Sequence, residues 1–242
     1  MTRNILTIAR RELQSYLRTP MGYVIAAIML AAAGLLFNAF ALRAGKRLSA
    51  DVIRDFFYFS SGTTMVAGVL LSMRLFAEEF QTGTEVLLRT APVSDAEVVL
   101  GKYLASFAFL GGVTLLTLPM PLLVMINGKI SVGHLAAGYL GLLLIGSATV
   151  AIGTFGSALA NNQVVAAIAT AAMVVFLLLC WLLAKVTAPP ISDVLSHMSL
   201  YDKHFVPFMK GVVHTRDIVY YLSVTYLFLL LATRAVRARR WA

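Results

Sequence analysis

The sequence predicts an all-α integral membrane protein, and three observations carry that prediction. Hydrophobic residues fill 60% of the 242 positions and charged residues only 13%, about half of the roughly 25% charged share of soluble domains. Six runs are apolar and long enough to cross a bilayer as helices, a crossing that takes about 20 residues. Lysine and arginine sit at the ends of those runs rather than on one patch. The formal charge of +9 therefore reads as membrane-edge anchoring and topology, not as a nucleic-acid surface. Cys180 is the single cysteine, which excludes an intrachain disulfide and a multi-cysteine metal site.

The N-terminal segment, residues 1–19, has a helical period. Ile5, Leu6, Ala9, Leu13, Tyr16 and Leu17 share one face, and Arg3, Thr7, Arg10, Arg11, Gln14 and Arg18 take the other. This pattern predicts a helix lying in the membrane interface until Pro20 and Gly22 turn the chain into the first span. Spans are expected at about 20–42, 56–76, 100–127, 134–160, 164–185 and 217–234. The first is too long for the core of a signal peptide and is expected to be retained.

An even number of spans puts both termini on one side. Arg3, Arg10, Arg11 and Arg18 before span 1, and Arg234, Arg237, Arg239 and Arg240 in the tail, assign that side to the cytoplasm. The first external loop, with Arg43, Lys46, Arg47 and Arg54, is as basic as the N-terminus, so charge alone is a weak guide. Within span 3, Leu118-Pro119-Met120-Pro121 predicts a kink. In span 4, Gly138, Gly141, Gly146, Gly153 and Gly156 predict close helix packing.

The connection EEFQTGTEVLLRTAPVSDAE, residues 78–97, concentrates carboxylates between two apolar runs. Thr82-Gly83-Thr84-Glu85 fits a capping box and predicts the start of a short helix, which Pro92 stops by Ala91. Ser94-Asp95-Ala96-Glu97 fits a second capping box opening a helix that continues into span 3. A two-turn helix is unstable alone, so Val86, Leu87 and Leu88 must be buried against the membrane interface, the spans or a partner. The carboxylates of Glu78, Glu79 and Glu85 are repelled by an anionic leaflet and favour a partner with basic residues.

The pattern EEFQTGTEVLLRTAPVS resembles the cytoplasmic connection between spans 2 and 3 of ABC-2 type transporter permeases, where a short coupling helix enters a cleft on a separate ATPase. The resemblance extends over nearly the whole chain: an N-terminal interfacial helix, six spans, a long fifth-to-sixth connection at 186–216 and a tail ending ARRW. Residues 204–236 are similar to the stretch before and through the last span of the gliding-motility-associated permeases and, less closely, of those linked to multi-copper enzyme maturation. Carried over residue by residue, it implies that Glu79, Gly83, Thr84, Glu85, Leu87, Leu88, Pro92 and Ser94 lie in or beside the ATPase contact.

The resemblance also implies cytoplasmic ABC ATPase subunits as partners, pairing with a second permease copy or a related permease, and a multi-pass location in the bacterial inner membrane. Export is the family's usual direction. ATP and Mg are expected on the partner ATPase, with no cofactor on this chain: none of Gly45-Lys46, Gly101-Lys102 or Gly128-Lys129 completes a G-x-x-x-x-G-K loop.

Two rival classes remain, a secondary transporter and a noncatalytic scaffold that docks a partner through residues 78–97. Ion-coupled carriers place ionisable groups within spans, and no expected span carries one near its middle; Arg74 and Lys185 lie at ends. The connection 186–216 includes Pro189, Pro190, Asp193, Asp202, His197, His204 and His214, and with His134 every histidine falls on the expected outer side near Met198 and Met209. Imidazole and thioether suit copper, but these spacings match no compact ligand motif and no metal site is expected.

Overall fold

The computed structural model describes residues 2–41, 48–84, 93–128 and 130–240. The described residues are predominantly helical and contain no strand. In chain order the helices are α1 (Thr2–Arg18), α2 (Pro20–Leu36, running on as a π-helical turn over Phe37–Ala41), α3 (Ser49–Ser72), α4 (Ala77–Thr82), α5 (Asp95–Leu115) and α6 (Pro119–Asn127). Then follow α7 (Val132–Leu159), α8 (Gln163–Val186), α9 (Ile191–Met198), α10 (Val206–Met209) and α11 (Thr215–Arg240).

Six stretches are long and apolar enough to cross a membrane: Pro20–Ala39, Ser49–Thr82, Asp95–Ile126, Val132–Leu159, Gln163–Val186 and Thr215–Arg239. The helical class predicted from composition is the class observed.

Helix α7 is the centre of the bundle. Its most apolar stretch is 83% buried, against 22% for that of α11, and α3, α5, α8 and α11 all pack on it. Its glycines make this possible. A Cβ on Gly138 would collide with the ring of Phe57, and one on Gly153 with the Ser72 hydroxyl. Helix axes approach this closely only where the intervening side chain is absent. The glycine pattern expected to serve packing does so.

The second and third spans are each interrupted. Helix α3 stops at Ser72 and α4 restarts at Ala77, a break inside a run that sequence reading treats as continuous to residue 76. Ser157 of α7 closes it: its hydroxyl accepts from the amides of Phe76 at 3.0 Å and Ala77 at 3.1 Å and donates to the Met73 carbonyl at 3.0 Å. In the third span the expected proline kink is a break between α5 and α6. Thr117 donates to the Thr114 carbonyl at 2.7 Å and meets the Tyr139 hydroxyl of α7 at 3.0 Å. Unpaired backbone groups in hydrocarbon cost several kcal/mol each; at the first break α7 supplies the missing partner through Ser157, and at the second Thr117 caps the Thr114 carbonyl while Tyr139 of α7 holds the Thr117 hydroxyl.

Helix α1 is amphipathic as expected, but its buried face differs from the expected one. Leu6 and Leu17 are 66% and 50% exposed, whereas Tyr16 is buried. Ile8, which belongs to no expected stripe, presses on Gly101 of α5, 2.7 Å from where a Cβ would stand. The Tyr16 hydroxyl donates to the Leu71 carbonyl at 2.9 Å and lies 2.8 Å from the Ser106 hydroxyl. Burial pushes this phenol well above its usual range. The inner face of α1 is thus a protein-packing face, and Leu6 and Leu17 are left on the outside.

Replacing Ser157 with Ala strands two buried amides and one carbonyl at the α3–α4 break. The expected result is a loss of about 1–3 kcal/mol, read as a lower unfolding midpoint in detergent, together with faster hydrogen exchange at Phe76 and Ala77.

Candidate functional site

The connection between the second and third spans leaves the bundle through α4 and returns through the N-terminus of α5. Helix α4 ends at Thr82 because Gly83 adopts a left-handed conformation, φ 69°, which glycine takes without the Cβ penalty. The Thr84 amide donates to the Glu79 carbonyl at 3.0 Å across this turn.

This overturns the first capping box read from the sequence. Thr82 closes a helix instead of opening one, and its hydroxyl donates to the Glu78 carbonyl at 2.8 Å and lies 3.0 Å from that of Thr84. The second box is present as expected: Ser94 Oγ accepts from the Glu97 amide at 3.3 Å, and the Glu97 carboxylate accepts from the Ser94 amide at 2.9 Å.

Glu79, Gly83, Thr84 and Ser94 are described; Glu85, Leu87, Leu88 and Pro92 lie outside the described residues, as does the helix expected to carry them. Gly83 and Thr84 are exposed, with Gln81 and Thr82 beside them. Glu79 turns inward. Its Oε1 accepts from Lys102 Nζ of α5 at 2.8 Å, and that ammonium also donates to the Leu75 carbonyl at 2.6 Å and lies 3.8 Å from the Glu12 carboxylate of α1. Lys102 is 3% exposed. Glu78 pairs with Arg74 at 2.9 Å. Two of the three carboxylates expected to face a basic partner are therefore neutralised within the chain, and the described part of the segment presents uncharged polar residues.

Lys102, Glu12, Ser157, Arg237 and Arg239 carry this site and were not among the residues expected to. Arg237 lies 3.8 Å from the Asp95 carboxylate, and Arg239 donates to the Leu159 carbonyl at 2.6 Å with its guanidinium 4.3 Å from the Phe80 ring centre. The ends of α1, α4, α5, α7 and α11 thus converge around the exit and re-entry of one segment. Lys102 looked like a flanking anchor because it follows Gly101 at the start of a long apolar run. A lysine that is buried in the fold announces itself only through partners distant in sequence, here 23 and 90 positions away.

Helices α2, α3 and α8 enclose an apolar groove of about 550 Å³, lined by Met29, Ala32, Tyr58, Met65, Leu178 and Trp181 among others. None of its lining residues is charged. Among the described residues, no three His, Cys, Asp or Glu side chains are gathered closely enough to hold a metal ion. His134 instead meets the Met209 carbonyl, and His204 meets Asp217.

Six apolar crossings, a core of helices without strands and a polar connection clamped at both ends define a multi-pass α-helical membrane domain. The family model described as ABC-2 type transporter matches residues 3–200, and the chain belongs to that family. The match covers α1 to α9 and stops before α10 and α11. No curated protein matches the chain. Family membership makes the chain a membrane-embedded permease component of an ABC transporter, a class that normally works with an ATPase subunit and is generally not itself catalytic.

The Lys102 cluster gives a measurable consequence. Replacing Lys102 with Met leaves the Glu79 and Glu12 carboxylates without their buried cation, and the expected destabilisation is about 3–5 kcal/mol. Combining Lys102→Met with Glu79→Gln and Glu12→Gln removes the stranded charges and is expected to restore most of the thermal stability in detergent.

Proposed function

We propose that this chain is the permease of an exporter in the bacterial inner membrane, with residues 78–97 as the segment that docks into cytoplasmic ABC ATPase subunits. The observation that carries the reading is the anchorage of that segment. It leaves through α4, fixed by Glu79 to Lys102, and re-enters at the Ser94–Glu97 capping box on the same helix, α5. Both points at which the described chain leaves and re-enters the bundle are thereby tied to the helix that begins the third span.

In this reading ATP and Mg are held by the ATPase, and closure of two ATPase subunits moves the docking segments. Both termini face the cytoplasm. The working unit contains a second copy of the chain or a related permease, since one set of six spans forms half of a pathway. Glu85, Leu87 and Leu88 supply the contact, while Glu79 and Ser94 position it. The resemblance of residues 204–236 to gliding-motility-associated permeases, and less closely to those linked to multi-copper enzyme maturation, supports a position near those branches of the family.

The uncharged lining of the groove between α2, α3 and α8 offers an ion no counter-charge, which favours an ATP-driven permease over a secondary transporter. A scaffold that moves nothing is the other alternative.

Purification of tagged protein from its native membrane is expected to bring down a P-loop ATPase. Glu85→Arg and Leu87→Asp variants, still inserted and folded, are expected to lose it by about tenfold or more, as removal of a central contact residue does at other interfaces. Recovery of undiminished ATPase with both variants contradicts the assignment of residues 78–97 as the docking element.

A further inference from the structure

The segment joining α8 to α11 is held by a buried histidine–carboxylate pair that the transport reading does not use. His204 is 2% exposed and Asp217, in the first turn of α11, is fully buried. Nδ1 of His204 lies 2.8 Å from Asp217 Oδ1, and Nε2 lies 3.2 Å from the main-chain carbonyl oxygen of His197. A carbonyl oxygen only accepts, so Nε2 must carry a hydrogen for that contact to be attractive. An ionised carboxylate also only accepts, so Nδ1 must carry one too. A neutral imidazole has a single N–H, and both contacts are satisfied only when the pair holds one further proton.

The surroundings make that proton consequential. The chain at 197–200 is tied by three carbonyls: Tyr220 donates to Met198 at 2.7 Å, Tyr221 donates to Leu200 at 2.6 Å, and His204 reaches His197. Of the three donors only histidine ordinarily changes charge near neutral pH. Arg216 is the cation facing the carboxylate, with Nε 3.4 Å from Asp217 Oδ1, and its side chain is 58% exposed. The Tyr220 ring stacks on the imidazole at 3.8 Å and Tyr221 lies edge-on at 6.5 Å. Lys203 turns to the ring of His197, 2.8 Å from its Nε2. Asp217 Oδ2 has no hydrogen-bond partner among the described residues.

We propose that His204 and Asp217 form a proton-operated latch that fastens the α8–α11 connection onto the start of α11. With the proton present, the imidazolium donates to both Asp217 and His197 and lies flat against Tyr220, where a cation is favoured. With the proton lost, one ring nitrogen presents a lone pair to an oxygen, one tie of the 197–200 chain fails and the connection loosens. The latch is closed while the pair holds this proton and released when the proton is lost. It acts on the side of the bundle opposite α4 and does not depend on an ATPase.

The test is hydrogen exchange of the full chain in lipid nanodiscs at about pH 6 and about pH 8, the range over which histidine changes charge. Rates are corrected for intrinsic chemistry, and a peptide from the core of α7 serves as control. Peptides spanning 197–206 in the wild type are expected to open about tenfold more often at the higher pH, the size of losing one charge-assisted hydrogen bond, with the control unchanged. In Asp217→Asn the amide donates to Nδ1 and neutral His204 donates to His197, so this variant is expected to stay closed and lose the pH dependence. Equal corrected exchange at both pH values in the wild type, or a pH response that survives in Asp217→Asn, overturns the latch.

Discussion

Every backbone N–H and C=O inside a membrane domain must find its partner within the protein, and the architecture follows from how this chain meets that requirement where its helices break. Helix α7 meets it directly at the break in the second span, through Ser157, and at the break in the third Tyr139 holds the hydroxyl of Thr117, which itself caps the Thr114 carbonyl. Because one helix serves both, it must touch α3 and α5 closely. Its glycines at 138 and 153 allow the contact with α3, at Phe57 and Ser72. The polar repairs and the glycine spacing are two sides of one constraint. A serine without the close approach would not reach residues 73–77, and the close approach without the serine would bury unpaired amides.

The end of the bundle around Lys102 obeys the same logic with full charges. Burying an ammonium alone is prohibitive, yet Lys102 is held by a carboxylate from α4, a carbonyl from the α3–α4 break and a second carboxylate from α1. Such a cluster adds little net stability over apolar packing but is expensive to disrupt by halves. It therefore fixes geometry. Three elements separated in sequence are obliged to meet at one nitrogen, and the segment that α4 and α5 bracket inherits a fixed base. Arg237 and Arg239 bring the last turns of α11 to the same place, so the end of the chain is part of that base and more than a topological anchor.

Much of this was legible in the sequence, for physical reasons. Hydropathy reports transfer free energy directly, so the six crossings were visible. The Ser94–Glu97 box and the Pro119–Pro121 break were visible because their chemistry is local. Thr82 was misread because Thr-x-x-Glu fits a helix start on paper, while Gly83 at a left-handed position makes the same threonine a helix end. The inward face of α1 was misread at Leu6, Ile8 and Leu17, since periodicity identifies an apolar stripe but not whether lipid or α5 covers it. Lys102 and the His204–Asp217 pair were not legible as sites, because their partners are brought together only by the fold.

The central claim is that α1, α4 and α5 behave as one body around Lys102 while the segment we propose to dock an ATPase is driven. Spin labels at the exposed positions Gln14 of α1 and Gln81 of α4, with a third at exposed Val164 of α8, test it by pulsed electron resonance distances in the permease–ATPase complex with and without ATP. The account predicts that the Gln14–Gln81 distance is unchanged by ATP while the Gln81–Val164 distance shifts. A Gln14–Gln81 distance that lengthens or broadens on ATP binding would contradict it.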